Sequence, residues 1–352
     1  MKNVWFRTTV IVLTIILVFT SISSVGYGKP IESHQLKNNS DLNEIIDFKR
    51  DMFFRWNPRK ITVRYDMIVT NAGNTTVNIT TYLAQPDSYV NQELQGPITY
   101  DPVPDGFATD RWGQTVAYYT YTLLPDHNIS LSWQANATVY TVRYILLPWM
   151  ANGEIPEEIL ENYTADDSQY QINDPYIQEI VNDVVGNTRN LLMKAVKLHK
   201  YVIDHLEYVL DDKWDDAPTV LKRGNGSCSE YCFAYIALCR AAGIPARYNG
   251  GSVYKKEPPH IDRIYHRNVE IYLPSYEWVP IDATWDDAIF FRHFCFGLHI
   301  NKLFTLTIGG GSSEYLNWSY HFWQEVTPPC DEILVNKSIT WLRWERPVPI
   351  RI

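Results

Sequence analysis

One stretch of this 352-residue chain decides its fold, and it reads Arg223-Gly-Asn-Gly-Ser-Cys-Ser-Glu-Tyr-Cys-Phe-Ala-Tyr-Ile-Ala-Leu-Cys-Arg-Ala-Ala-Gly-Ile-Pro-Ala-Arg247. After two early glycines, the residues from Cys228 to Ala242 contain no helix breaker, and Gly243 and Pro245 follow them. Glycine favours the backbone conformation that ends a helix, and proline cannot continue one. The pattern therefore predicts a helix over about residues 228–242.

The position of Cys228 in the first turn of this helix gives its thiol a chemical role. The first N–H groups of a helix have no partner within it, and with the positive end of the helix dipole they favour a thiolate, which is the nucleophilic form. Cys232 and Cys239 lie deeper on the same helix, and we interpret them as buried side chains. Cys228 is therefore the candidate nucleophile.

A hairpin is predicted downstream, in the sequence His266-Arg-Asn-Val-Glu-Ile-Tyr-Leu-Pro-Ser-Tyr-Glu-Trp-Val-Pro-Ile-Asp282. Pro274 and Ser275 supply the turn. Apolar residues of one parity form its core face: Val269, Ile271, Val279 and Ile281. His266 and Asp282 share the other parity and are equidistant from Pro274, so a symmetric hairpin places them directly opposite each other. Their Cα atoms would then lie about 4.5–5.5 Å apart, close enough for the carboxylate to orient the imidazole.

These residue types together suit catalysis by a thiol. A cysteine nucleophile needs an imidazole that takes its proton and returns it to the leaving group, and the imidazole needs an orienting carboxylate. Cys228, His266 and Asp282 can fill the three roles. A backbone N–H at the start of the helix would bind the developing oxyanion.

Four segments, in this order along the chain, resemble the transglutaminase-like superfamily. They are Gly226-Ser-Cys-Ser-Glu-Tyr231, Leu238-Cys-Arg-Ala-Ala-Gly-Ile-Pro-Ala-Arg247, the strand that begins at His266, and Trp278-Val-Pro-Ile-Asp-Ala-Thr-Trp285. The resemblance covers about residues 175–290. It implies a papain-like α+β core.

The resemblance also assigns roles to single residues. It implies Cys228 as nucleophile, His266 as base and Asp282 as orienting acid. One departure concerns substrate preference: the family often has His-Ala-Trp where this chain has Arg and Asn at 267–268. Trp214 could serve the oxyanion hole, as an aromatic residue does in animal transglutaminases, but we favour a packing or surface role for it.

A β-rich region precedes the core. From Ile61 to Val69 apolar residues alternate with polar ones, which is typical of a half-buried strand. Further strand-like runs follow at 77–84, 115–122, 129–135 and 137–147. We therefore predict an all-β sandwich before the α+β core. The predicted divisions are a signal peptide or membrane anchor (1–28), a linker (29–58), the β-sandwich (59–150), the transglutaminase-like catalytic domain (160–290) and a C-terminal β-rich extension (291–352).

The N-terminal sequence indicates export. Lys2 and Arg7 precede an apolar stretch over residues 8–25, and small residues follow, which is typical of a secretory signal peptide. A retained membrane anchor is the alternative, and we favour cleavage. Sites for N-linked glycans, Asn-x-Ser/Thr, occur at Asn38, Asn74, Asn78, Asn128, Asn136, Asn162, Asn225, Asn317 and Asn336. We expect a secreted or cell-surface glycoprotein.

Composition excludes other classes. The chain carries 40 acidic against 31 basic residues, a net charge of −9, and shows no clustered basic footprint, so we predict no nucleic-acid partner. The histidines have no metal-ligand spacing, and no phosphate-binding glycine loop is present, so we predict no metal and no cofactor. Nothing in the sequence indicates an oligomeric state. Cys295 and Cys330 are candidates for a disulfide in the exported setting.

The function that follows is an exported thiol enzyme. It would act on amide bonds of a protein or peptide substrate through an acyl-enzyme on Cys228, either as a cysteine protease or amidase or as a protein-glutamine acyltransferase. Hydrolysis is slightly favoured over transfer to an amine, because water is always available. The alternatives are a non-catalytic surface-displayed binding protein with a vestigial triad and a structural protein of the cell envelope.

Overall fold

The helix predicted from the opening stretch runs over Cys228–Ala241 in the computed structural model, which describes residues 52–210, 213–288 and 293–346. The predicted signal peptide or anchor at 1–28 and the glycan site at Asn38 lie outside the described residues. In the parts of the chain that the structure does describe, no helix has both the length and the apolar character needed to cross a membrane.

The helices of the described residues are α1 (Glu157–Tyr163), α2 (Pro175–Val185), α3 (Leu191–His205), α4 (Ala217–Arg223), α5 (Cys228–Ala241) and α6 (Ala283–Ala288), and a 3-10 turn lies at Pro148–Met150. The strands are β1 (Phe53–Asn71), β2 (Val77–Ala84), β3 (Gln92–Leu94), β4 (Thr99–Asp101), β5 (Gly106–Thr109), β6 (Thr115–Leu123), β7 (Asn128–Tyr144), β8 (Glu207–Tyr208), β9 (Asn225–Gly226), β10 (Ala246–Val253), β11 (His260–Asp262), β12 (His266–Leu273), β13 (Glu277–Ile281), β14 (Leu298–His299), β15 (Leu303–Gly309), β16 (Phe322–Thr327) and β17 (Ile333–Glu345).

Two sheets form the N-terminal β-rich region. The larger has the order β11-β17-β1-β7-β14, with β3 and β4 also paired to β7, and the smaller has the order β16-β2-β6-β5. The predicted alternation in β1 is confirmed, because Val63, Tyr65, Met67 and Val69 are buried while the residues between them are more exposed. The inward residues of both sheets join one hydrophobic core.

Two strand boundaries differ from the prediction. The runs at 129–135 and 137–147 form the single strand β7, because the exposed Asn136 between them stays paired with Thr62 of β1. The linker predicted over 29–58 is wrong for residues 53–58, which belong to β1. A bulge between Trp56 and Arg59 interrupts the alternation there, so the pattern of a strand is lost in the sequence.

The residues predicted as a C-terminal extension at 291–352 are shared among the sheets. β17 pairs antiparallel with β1 from Lys60 to Asn71, and β16 pairs with β2. β15 instead pairs with β10, in a third sheet of order β13-β12-β10-β15. The last part of the described chain therefore completes both the N-terminal sheets and the core sheet.

The core combines this third sheet with the helices, which confirms the α+β class. α5 is buried on all sides, from Cys228 to Arg240, and packs against β10 and β12 on one side and against α2, α3 and α4 on others. The predicted helices around Ile177 and Leu191 are α2 and α3. The core sheet and the surrounding helices therefore enclose α5.

The predicted hairpin exists, but its register is shifted. Val269 pairs with Ile281 and Ile271 pairs with Val279, so the hairpin is centred on Ser275 rather than on Pro274. Ser275 adopts a positive φ of 70° in a loop of three residues, a turn that the sequence pattern did not indicate. Direct opposition of His266 and Asp282 is therefore wrong: Asp282 follows the end of β13, displaced along the hairpin from His266.

All five cysteines are free, so the suggested disulfide between Cys295 and Cys330 is wrong. The Cys295 thiol lies beside Asp286 of α6, whose carboxylate also accepts a hydrogen bond from the Cys295 backbone N–H at 2.7 Å. The Cys330 sulfur lies beside Gly73, next to the turn between β1 and β2. The two thiols thus belong to different parts of the fold.

Candidate active site

The first turn of α5 is anchored by a buried carboxylate. Glu230 is fully buried and accepts hydrogen bonds from the backbone N–H groups of Ser227, at 2.8 Å, and Asp215, at 3.2 Å. The guanidinium of Arg223 donates to the same carboxylate at 2.8 Å and also pairs with Asp215. These contacts fix the residue that precedes Cys228, and with it the direction in which the thiol points.

The Cys228 thiol is almost enclosed, with 6% of the residue exposed, and its Sγ lies 3.9 Å from the carbonyl oxygen of Tyr265. Burial by itself raises the pKa of this thiol. A hydrogen bond from His266 and its charge, together with the backbone N–H and the charge of Arg267, outweigh burial, so the pKa of Cys228 is lowered overall. The environment therefore favours thiolate at this position.

His266 and Asp282 are in direct contact despite the shifted register. The Nε2 atom of His266 donates to Oδ2 of Asp282 at 2.6 Å, and both side chains are buried. The other oxygen of Asp282 accepts the backbone N–H of Trp285 at 3.1 Å, which orients the carboxylate at the start of α6. The Trp285 ring stacks on the His266 ring with centroids 5.3 Å apart and an interplanar angle of 15°. The imidazole is thus held by a hydrogen bond at Nε2 and by stacking of the Trp285 ring on its face.

The charge state of His266 follows from these contacts. Burial lowers the pKa of the imidazole, but the charge and hydrogen bond of Asp282, with the hydrogen bond and charge of Cys228, raise it to about 10. Because Nε2 is engaged by Asp282, Nδ1 is the ring nitrogen left for the thiol. The structure thus brings all three predicted residues together, and the lowered thiol pKa and raised imidazole pKa both act in favour of an ion pair between thiolate and imidazolium.

An aromatic cluster lies behind the thiol. Four rings, those of Trp214, Phe233, Tyr248 and Tyr320, surround the buried guanidinium of Arg267. Trp214 is 37% exposed and stacks on Tyr320 with centroids 5.9 Å apart. The structure thus gives Trp214 the packing contacts that we favoured, and a part for it in an oxyanion hole stays a prediction.

Exposed apolar side chains flank the thiol. β8 pairs parallel with β9, which ends two residues before Cys228, and the exposed Tyr208, Val209 and Leu210 lie along it. The exposed Ile264 precedes Tyr265, whose carbonyl oxygen faces the Cys228 sulfur. The charged residues Glu207 and Arg263 are exposed next to these apolar side chains.

Several residues that hold the triad in place were not predicted from the sequence. Glu230 could have been found, because Ser227-x-x-Glu230 is the pattern of a capping box. Stacking by Trp285 on His266 and the burial of Arg267 have no local signature, since both depend on how the hairpin packs. Among the residues that the structure describes, no group of three or more His, Cys, Asp or Glu is arranged to hold a metal ion.

Comparison with known proteins bears on the family and the fold of the chain. Residues 178–283 match the family profile of the transglutaminase-like superfamily. The chain is 28% identical over 162 residues to an uncharacterised protein of Haemophilus influenzae, covering 36% of this chain and 44% of that protein. The chain therefore spans less than half the length of this curated relative.

Solved structures with a similar fold include a candidate cysteine protease from Cytophaga hutchinsonii. Its TM-score is 0.54 at 17% identity, over 82% of this chain and 99% of that one. The periplasmic domain of TgpA from Pseudomonas aeruginosa aligns with a TM-score of 0.33 at 12% identity, over 61% of this chain and 89% of that one. The fold and the family profile thus identify residues 178–283 as a transglutaminase-like core, the fold of a superfamily of thiol enzymes.

Proposed function

We propose that this chain is an exported thiol enzyme that acts on amide bonds of proteins or peptides through an acyl-enzyme on Cys228. The observation that carries the proposal is the buried constellation of Cys228, His266 and Asp282, in which a lowered thiol pKa is coupled to a raised imidazole pKa. A thiol that only filled space in a core would have its pKa raised by burial, as happens to Cys232 one turn further along α5.

The chemistry follows from the positions of these groups. The Cys228 thiolate attacks the amide carbonyl carbon and forms a C–S bond, and the backbone N–H groups in the first turn of α5 face the developing oxyanion. The C–N bond then breaks as the His266 imidazolium gives its proton to the leaving amine. Neutral His266 next takes a proton from water, whose oxygen attacks the thioester and releases the acid and the thiolate. Asp282 holds the ring throughout by accepting the Nε2 hydrogen bond.

The surroundings of the thiol support a peptide with apolar side chains as substrate. The exposed Tyr208, Val209, Leu210 and Ile264 flank the site, and burying apolar surface is the main source of binding free energy for such groups. Hydrolysis is the favoured second step because water reaches any site that a peptide reaches. Transfer to an amine uses the same three residues, with the amine in place of water.

Turnover of peptides tests this function. Peptides that contain glutamine flanked by leucine would be incubated with the protein, with and without a primary amine. The masses of the products would be measured by mass spectrometry. We expect cleavage or deamidation that Cys228→Ala abolishes. Cys232→Ala is the matched control, because Cys232 is buried on the same helix and has no triad partner to lose, and it should keep most of the activity.

The outcomes separate the candidate functions. A mass gain equal to the amine would assign transfer rather than hydrolysis. Binding of peptides by the wild-type chain without any product would contradict the enzyme and favour the alternative of a surface-displayed binding protein.

Export belongs to the same proposal. Besides the N-terminal sequence, it is supported by the glycan sites within the described residues: seven of the eight have an exposed asparagine, and Asn225 is half-buried. N-terminal sequencing of the mature protein should find a start near residue 28, whereas retention of residues 8–25 in a membrane fraction would show an anchor instead.

A further inference from the structure

A permanent positive charge is enclosed beside the nucleophile. Arg267 follows His266 in β12 and has 0% of its surface exposed. The centre of its guanidinium lies 4.5 Å from the ring centroids of Tyr248 and Tyr320, 4.9 Å from that of Trp214 and 5.1 Å from that of Phe233. We call these four rings the aromatic cage.

The hydrogen bonds of this guanidinium are incomplete. Nη2 donates to the carbonyl oxygen of Trp318 at 2.7 Å, while Nε and Nη1 have no hydrogen-bond partner among the described residues. No carboxylate pairs with Arg267 in this part of the chain, unlike Arg223 and Arg247, which pair with Glu230 and Glu270. A guanidinium cannot lose its proton in a protein, so the cage encloses a full positive charge.

Such a charge is costly for the fold. Taking a guanidinium out of water carries a large desolvation free energy, and aromatic faces recover only part of it. An apolar side chain of similar length would fill the same space without that cost. A nearby negative charge would offset part of this desolvation cost. The sulfur of Cys228 is the nearby group that becomes negatively charged when its thiol ionises.

Arg267 reaches this sulfur in two ways. Its backbone N–H donates to Cys228, and its guanidinium interacts with the thiolate through space. The rings hold the side chain in place, and the pairing of β12 with β10 at Arg267 and Gly250 holds the backbone. Both contacts act in the same direction as the His266 imidazolium, and both are stronger in a site closed to water.

We propose that Arg267 is a positioning residue for Cys228: its backbone N–H donates to the sulfur, and its caged guanidinium provides a constant positive charge beside the thiolate. The inference rests on the proposed function only in taking Cys228 as the nucleophile. It also gives a physical meaning to the replacement of the family's common alanine by arginine directly after the histidine.

Other titratable groups face the same region from the neighbouring elements. Around Cys228 and Arg267 they are His266, Asp282, Tyr208, Cys232, Tyr265, Tyr170, Tyr248, Tyr320 and His321. The tyrosines have pKa values raised by burial and stay neutral through the pH range of the test, and burial keeps His321 neutral. Among the groups with a shifted pKa, Cys228 and His266 are those that carry the charge beside the sulfur.

The test measures thiol reactivity rather than turnover. Iodoacetamide labelling of Cys228 in the full chain, followed by peptide mass spectrometry from pH 4 to pH 10, reports the thiolate fraction. In Arg267→Met the profile should move up by about one pH unit, as expected when a nearby opposite charge is lost. At pH values below the wild-type midpoint, labelling should therefore fall about tenfold. Arg267→Lys restores a charge and should recover most of the reactivity.

A matched control separates electrostatics from packing. Arg240 is also buried, stacks on Tyr170 at 4.5 Å and lies on α5, twelve residues beyond Cys228. Arg240→Met removes an equivalent cation about 18 Å along the helix from the thiol, and it should lower stability without moving the labelling profile. Trp214→Leu opens the exposed side of the cage. It should move the labelling profile in the same direction as Arg267→Met, by a smaller amount. This second variant keeps the proposal testable if Arg267→Met does not fold.

The results distinguish the two proposals. A folded Arg267→Met or Trp214→Leu protein with the wild-type profile would overturn the role of Arg267 while leaving the triad intact. If Cys228 in the wild-type chain titrates as an ordinary thiol, both proposals fail. If Cys228 of the wild-type chain shows the activated labelling profile but the protein turns over no peptide, only the proposed function is rejected.

Discussion

The residue on which the site depends most is Asp282, because it sets the charge of the imidazole. Its carboxylate makes the shortest contact in the triad, 2.6 Å to Nε2 of His266, and its charge is the largest influence that raises the pKa of that ring. The His266 imidazolium in turn stabilises the thiolate. One carboxylate therefore controls both the nucleophile and the general acid.

Asp282→Asn should lower activity by about 10²–10⁴-fold, because an amide can hold the ring but cannot stabilise its charge. Activity that needs the imidazolium is lost in the wild type as pH rises through about 10. The variant should lose it at a lower pH, closer to the ordinary histidine value of about 6.5. A pH profile of turnover checks this, and an unchanged alkaline limit would contradict it.

The same shift links pH to stability. The folded pKa of His266 is raised, so its protonated form stabilises the native chain fully below the unfolded value of about 6.5. That contribution is lost as the pH rises through about 10. In Asp282→Asn the folded pKa of His266 should move closer to its unfolded value. The free energy of unfolding in urea, measured at several pH values, should then lose this contribution over a narrower pH range.

At the scale of the element, α5 is the part of the fold that the sequence specified best. Its start and end were predicted to within one residue, because glycine and proline act locally. The hairpin was harder to predict: its apolar face was correct, yet its register depended on the left-handed conformation of Ser275. Contact between His266 and Asp282 survives the error because Asp282 lies past the strand end, where α6 turns the carboxylate back.

Glu230→Gln tests how firmly the start of α5 is fixed. The ion pair between the buried Glu230 and the partly exposed Arg223 is lost, and hydrogen bonds of a buried group are weakened, which should lower the free energy of unfolding by about 1–3 kcal/mol. Turnover should fall as well, because the N–H groups that bind the oxyanion move with the first turn. Urea denaturation and peptide turnover measure the two effects.

The exposed pair of Glu345 with Arg343 provides the control. Glu345→Gln should leave stability and turnover unchanged, since exposed ion pairs contribute little. If Glu230→Gln behaved like this control, the buried carboxylate would not be what fixes the helix.

At the scale of the whole molecule, the described residues fall within one compact unit, Lys49–Ile352. Strand pairing explains why the sequence did not indicate this. β17 is far from β1 in the chain, and the pattern of one strand does not say which distant strand it pairs with. The indole of Trp341 in β17 donates to Ser252 of β10 at 2.9 Å, which ties the N-terminal sheet to the core sheet.

Trp341→Ala should therefore destabilise both parts together. The side chain is fully buried, and removing it should cost about 3–5 kcal/mol. We expect a single thermal transition at lower temperature, seen alike by circular dichroism and by labelling of Cys228. Leu342→Ala, at the exposed neighbouring position, should have little effect. Two separate transitions, with labelling unchanged, would contradict the coupling.

The pairing of β1 with β17 also has a consequence in time. During synthesis β1 is made early, but one of its edges lacks its partner until the chain has grown to about Glu345. The sheet that carries β1 is therefore completed only when nearly all of the described chain has left the ribosome. The aromatic cage of Arg267 is also completed late, because Tyr320 follows all three triad residues in the chain.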